Sequence, residues 1–121
     1  MPKTKLVYFK EDDGSIPVCT FLDKLPLKIR LKAIARFDLL EERGYELRRP
    51  HADLLRDEVY ELRLRVVKVQ YRFLYFFHGQ NVVVISHGIK KKGDEVPDEE
   101  IDLAIVQKIK FREKPDKHTA S

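Results

Sequence analysis

Residues 59–92 read Val59-Tyr-Glu-Leu-Arg-Leu-Arg-Val-Val-Lys-Val-Gln-Tyr-Arg-Phe-Leu-Tyr-Phe-Phe-His78, then Gly-Gln-Asn-Val82-Val-Val-Ile-Ser-His-Gly-Ile-Lys-Lys-Lys92. The stretch decides the fold, because it contains three strand-like runs in succession. Tyr60, Leu62, Leu64 and Val66 alternate with Glu61, Arg63 and Arg65, and Lys68, Gln70 and Arg72 alternate with Val67, Val69, Tyr71 and Phe73. Such a period of two marks strands with one solvated face. Phe73 to Phe77 and Val82 to Ile85 are apolar without alternation, which predicts the centre of a sheet covered on both sides. From Tyr60 to Lys92, seven Lys or Arg stand against Glu61 alone, a local charge of +6 in a chain of net +4. Positive charge gathered on a sheet is the footprint of a phosphate-rich partner.

An unbroken strand from Val59 to Phe77 would span on the order of 60 Å at about 3.3 Å per residue. A domain of this length has a radius of gyration of only about 14 Å. The chain therefore turns back, most naturally between Arg65 and Lys68, although no Gly, Asn or Pro announces the turn. If Val67-Lys68 is the turn, Arg63 lies opposite Arg72. Like charges facing one another are destabilising and are tolerated for an anionic partner. If Val66-Val67 is the turn, Arg72 faces Glu61 and Arg63 faces Gln70. The sequence leaves both registers open. The second turn, His78-Gly-Gln-Asn81, is plain. Pairing Phe77 with Val82 across it sets Arg72 opposite His87.

Working outward, residues 4–9 predict a first strand. Ser15 is placed to cap a short helix with Pro17 in its first turn and Val18, Phe21, Leu22 and Leu25 on one face. Pro26 starts a second helix, ending at Arg43 before Gly44. Leu27, Leu31, Ile34, Phe37 and Leu40 are its expected inner positions. Residues 45–57 read as a loop with one short turn near Ala52 to Leu55. A last helix is expected over 97–111, with Asp98, Glu99 and Glu100 suiting its N-terminus and Ile101, Ala104, Ile105, Lys108 and Ile109 facing inward. Residues 114–121 read as a flexible tail.

The 121 residues, 43% of them hydrophobic, make a single globular domain over residues 1–113. One cysteine, Cys19, leaves no internal disulfide and reads as a small buried apolar residue. No run approaches the roughly 20 apolar residues that cross a bilayer, and no leader is visible, so a cytoplasmic protein is expected. Glycine-rich phosphate loops, zinc-type Cys/His spacing and a strained nucleophilic serine are missing.

The ordered segments Leu47-Arg-Arg-Pro-His-Ala-Asp-Leu-Leu-Arg-Asp-Glu-Val-Tyr-Glu-Leu-Arg63, Tyr71-Arg-Phe-Leu-Tyr75 and Gly88-Ile-Lys-Lys-Lys92, followed by Pro97 and Ala104, resemble the RelE/ParE superfamily. Within it they are most similar to HigB-like, phage-related toxins of type II toxin–antitoxin modules. The resemblance covers about residues 5 to 112. It implies an α+β fold: a small twisted, mostly antiparallel sheet packed by two N-terminal helices and a C-terminal helix. It implies a ribosome-dependent mRNA endonuclease that needs no metal or other cofactor. The 2′-hydroxyl would attack the adjacent phosphate with a general base, cations would stabilise the charge on phosphorus, and an acid would protonate the leaving 5′-oxygen. Expected partners are the ribosome, mRNA and a cognate antitoxin of helix-turn-helix type.

The resemblance assigns Arg72 as the phosphate clamp, suited by its two-point guanidinium geometry. It adds Arg63 and Lys91 as further cations; His87, the imidazole just before the basic turn, is the candidate for proton transfer by its position. Arg65, Lys68, Lys90, Lys92 and His51 complete the expected RNA-contacting set. Val96-Pro97 stands where some relatives have a tyrosine after the basic turn. A plain structural reading competes at each position: Arg72 in an ion pair with Glu61, alternating charges on a solvated strand, a solvated basic turn. Two other functions are compatible with the same resemblance, a non-nuclease toxin acting on a target such as DNA gyrase and an inactive homologue that only binds antitoxin.

Overall fold

The computed structural model describes residues 4–91, 93 and 95–120. Strands β3 (Val59–Val66) and β4 (Val69–His78) join through Val67-Lys68, which places Arg63 opposite Arg72. Of the two registers open to the sequence, the electrostatically costly one is present. Val67 takes φ of 57°, the positive sign that two-residue hairpin turns need at their first central position. That conformation is strained for a β-branched side chain.

The other elements are β1 (Lys5–Phe9), α1 (Pro17–Asp23), α2 (Leu27–Arg43), β2 (Ala52–Arg56), β5 (Val82–Lys91), α3 (Asp98–Glu113) and β6 (Thr119–Ala120). They form one sheet of order β2-β3-β4-β5-β1-β6. All neighbours are antiparallel except β1, which runs parallel to β5. The α+β architecture expected from the sequence is present. Among the described residues, no helix is long and apolar enough to cross a membrane.

Helices α1 and α2 cover one sheet face. Val18, Leu22, Phe37 and Leu40 pack there on Leu62, Leu64, Tyr71, Phe73 and Ile85. Helix α1 lies close over β5 at Gly88, where a Cβ would come 2.5 Å from the Phe21 ring and 2.9 Å from Phe73. Helix α3 covers part of the opposite face, with Ile101 and Ala104 against Val59 and Leu74 and Phe111 against Phe76. The rest of that face, toward the Val67 turn, is left to the cations of β3 and β4.

Several expectations are corrected. Ala52–Arg56 is a strand, joined to β3 through Asp57 and Glu58, both at positive φ (51° and 64°). Lys108 of α3, donating to the Asp57 carbonyl, and Arg112, 3.3 Å from Glu58, hold that turn. Ser15 does not cap α1; its hydroxyl and amide bind Asp13, and Ile16 takes the cap position. Leu27, Leu31 and Ile34 of α2 are exposed, and Ala33 joins Phe37 and Leu40 as its buried positions. On α3, Ile109 is exposed while Gln107 and Phe111 are buried. Cys19 is only half-buried, its thiol pushed up chiefly by desolvation. The tail expected to be flexible folds back through residues 115–118, and β6 pairs with β1. There His118 is buried, stacks on Phe9 and bonds through Nδ1 to the Lys10 carbonyl at 2.8 Å.

Replacing Val67 with glycine removes the strain at the hairpin turn. We expect Val67→Gly to raise stability by about 1 kcal/mol, read as a higher urea midpoint at unchanged m-value; a lower midpoint would refute the strained turn.

Candidate nucleic-acid interface

The register of β3 and β4 decides where the cations point. Arg63 and Arg65 share one face of β3, and Arg72 and Gln70, directly opposite them or alternating with them, share it on β4. The preceding loop crosses the same region. The Arg63 amide donates to the His51 carbonyl at 2.7 Å and so pins the loop against the strand. Arg49 and Pro50, joined by a cis peptide, and His51 thereby form one wall. Arg36 of α2 supplies another. The result is an open pocket of about 520 Å³ lined by Arg36, Arg49, Pro50, His51, Arg63, Arg65, Gln70 and Arg72.

Arg72 forms its floor and is only 2% exposed. Its Nε lies 3.2 Å from Glu61 Oε1, Nη1 donates to the Tyr71 carbonyl at 3.1 Å, and Nη2 donates to Gln70 Oε1. Desolvation pulls its pKa down; Glu61 opposes this and neighbouring Arg63 adds to it. A guanidinium nevertheless stays charged. Glu61 also lies 3.8 Å from Arg63, so one buried carboxylate serves two arginines. Arg72 is ion-paired with Glu61, as the plain structural reading has it, and it also lines the basic pocket.

Arg49 is paired with Asp53 at 2.9 Å. Five guanidiniums against the carboxylates of Glu61 and Asp53 leave positive charge in excess. Arg36 contacts Nδ1 of His51. Arginine has only donors, so Nδ1 accepts and the ring proton of neutral His51 sits on Nε2. The pocket thus offers hydrogen-bond donors and cations at short range, a surface suited to phosphoryl oxygens.

The other expected site residues are dispersed. Lys91, paired in register with Gln70, lies on the pocket's face of the sheet but is buried. Lys90 pairs with Tyr71 and lies on the opposite face. Lys68 is exposed in the hairpin turn. Lys92 lies outside the described residues.

His87 is not opposite Arg72. Phe77 pairs with Val83, and Ser86 is an extra residue in β5, so Ile89 faces Arg72 and His87 faces Leu74. The bulge turns Ser86 and His87 together toward α3. Ser86 Oγ is 2.7 Å from His87 Nδ1, and His87 Nε2 is 3.0 Å from Glu100 Oε1. Ser86 also bonds Gln107, whose amide donates to Glu11 at 3.2 Å. The trio looks like a nucleophile, base and acid in series, but Ser86 is 0% exposed and meets no substrate. Burial pulls the His87 pKa below its ordinary value while Glu100 opposes the shift. The network ties α3 to the sheet, and His87 is not in the pocket.

Arg36 and Arg49 line the pocket without any motif that marks them in the sequence. Arg36 was legible only as part of the Lys28, Lys32, Arg36 stripe on α2, and Arg49 as the cation before Pro50.

Removing Glu61 leaves Arg72 buried beside Arg63 with no carboxylate between them. Glu61→Ala is expected to cost about 3–5 kcal/mol in urea unfolding. A loss below about 1 kcal/mol, the range of an exposed pair, would show that the Glu61–Arg72 contact is not the floor of the site.

No curated protein matches this sequence. The family model described as "Phage derived protein Gp49-like (DUF891)" matches residues 20–108, from inside α1 to inside α3, and so includes the pocket whole. The chain belongs to the Gp49-like, phage-derived family, a type II toxin family of the RelE superfamily.

Proposed function

We propose that this protein is a toxin that cleaves mRNA on the ribosome and is silenced by a cognate antitoxin. The observation that supports the reading is the pocket in which Arg36, Arg49, Arg63, Arg65 and Arg72 surround His51. Arg63 and Arg65 meet the scissile phosphate, and Arg72, fixed by Glu61, supplies fixed positive charge from below. Such preorganised charge lowers the energy of the phosphorane-like transition state.

His51 replaces His87 as the proton-transfer group, since it is the imidazole that lines the pocket. With Nδ1 engaged by Arg36, it only donates. When Arg36 turns to a phosphoryl oxygen, Nδ1 is freed to take the proton of the 2′-hydroxyl. The 2′-oxygen then bonds to phosphorus as the bond to the 5′-oxygen breaks, and the 5′-oxygen takes a proton from water while His51 later returns its own to solvent, giving a 2′,3′-cyclic phosphate and a 5′-hydroxyl. RNA binding thus unmasks its own base.

A second reading, a toxin that holds RNA or another polyanion without cutting it, is favoured by the same contacts. Arg72 is already engaged by Glu61 and the Tyr71 carbonyl, and Nδ1 of His51 is occupied.

The test is cleavage of a translated mRNA in a reconstituted system. We expect Arg63→Ala to slow cleavage by about 10²–10³-fold and His51→Ala by about 10²–10⁴-fold, with both variants folded by circular dichroism. Full activity in His51→Ala would remove His51 from the reaction. Bound but intact RNA with the wild-type protein would establish the second reading, and no binding at all would end both.

A further inference from the structure

Strand β2 begins opposite Leu62, so among the described residues no strand lies on the outer side of β3 beyond Arg63. Over that free edge, a second depression of about 280 Å³ adjoins the first. Lys32, Ala35, Arg36 and Leu39 of α2 line it, with Leu64 and Arg65 of β3. Arg36 and Arg65 line both depressions. The two are therefore one continuous surface that bends from the sheet face onto α2.

Its charge is one-sided. No carboxylate among the described residues lines the second depression. Among the described residues, no carboxylate forms an ion pair with Lys28, Lys32, Arg36 or Arg65, whereas Arg49 on the far wall of the first pocket is paired with Asp53. Lys28, Lys32 and Arg36 follow one another at four-residue steps along α2. Each step is about 6 Å of helix axis, so the cations form a row leading away from the pocket. The lining holds no aromatic ring on which a base would stack. It suits the backbone of a nucleic-acid strand and not its bases.

We propose that α2 carries a second phosphate subsite, and that a single RNA strand bound in the arginine pocket leaves it over the edge of β3 and runs along Lys32 and Lys28. The inference rests on the phosphate-binding reading of the pocket and extends it to a strand of several nucleotides. Contact through phosphates alone makes this part of the path indifferent to sequence. Arg36 stands at the junction, where it meets the strand as it passes from one subsite to the next.

The experiment is fluorescence anisotropy with two labelled probes, a dinucleotide and a single-stranded RNA of about 12 nucleotides, over a range of salt. The variant is Lys28→Ala combined with Lys32→Ala; both side chains are exposed on α2, and a thermal melt checks that the fold is kept. We expect the variant to bind the long RNA roughly ten-fold more weakly. Its salt slope should fall by about 1.4, two phosphate contacts at about 0.7 each. Dinucleotide binding should stay unchanged. Wild-type behaviour of the variant toward both probes would overturn the α2 path and leave the pocket standing. Equal weakening toward both probes would also overturn it, since the lysines would then act as general charge. Failure of the wild-type protein to bind either probe would instead refute the pocket itself.

Discussion

The site depends on two arginines facing each other across a hairpin, with one carboxylate between them and the interior. Arg63 and Arg72 are directly opposed, a pairing that costs energy on any sheet. Glu61 reduces that cost by lying within ion-pair distance of both. Because it is buried, its field is little screened by solvent. The register that creates the conflict is set by the two-residue turn at Val67 and Lys68. A slip of one residue would move every side chain of one strand to the other face, and Leu62 and Leu64 would leave the core as the arginines left the pocket. The hydrophobic pattern therefore enforces an arrangement that electrostatics alone would reject. Conflict of this kind between local energy and global fold is concentrated where proteins bind ligands.

Most of the sheet could be read from residues 59–92 because its hydrophobic pattern changes from alternating to continuous where the strands become central. The helix boundaries at Pro17, Pro26, Gly44 and Pro97 were equally legible, since proline and glycine act through backbone geometry that tertiary contacts rarely override. What the sequence hid was decided by contacts distant in the chain. Strand β2 turns through Asp57-Glu58, a pair with no hairpin signature, and Lys108 and Arg112 of α3 support the turn from outside. The extra residue at Ser86 is a matter of register, invisible in one strand read alone. It carried His87 away from Arg72 and under α3. Residues 114–120 look solvated by composition, yet His118 finds Phe9 and the edge of β1.

The site itself was half legible. Arg63, Arg65, Arg72 and His51 do meet in one pocket. The two missing walls come from elements whose charges looked ordinary: Arg36 on the polar side of a helix and Arg49 in a loop. Spacing along one strand predicts neighbours on that strand; it says nothing about which loop folds over the strand's edge. Leu27, Leu31 and Ile34 repeat at helical spacing, a pattern that predicts core positions. In the fold, α2 lies so that Ala33, Phe37 and Leu40 meet the sheet, and the other stripe is left outside.

Strand β1 lies between β5 and β6, parallel to the first and antiparallel to the second. Strand β1 thus has no seat until β5, far along the chain from it, has been made. A nascent polypeptide can assemble α1 and α2 early, but their apolar faces wait for a sheet that is not yet there. Closure of the core is in this sense a late event in manufacture, waiting on a strand made long after the one it seats.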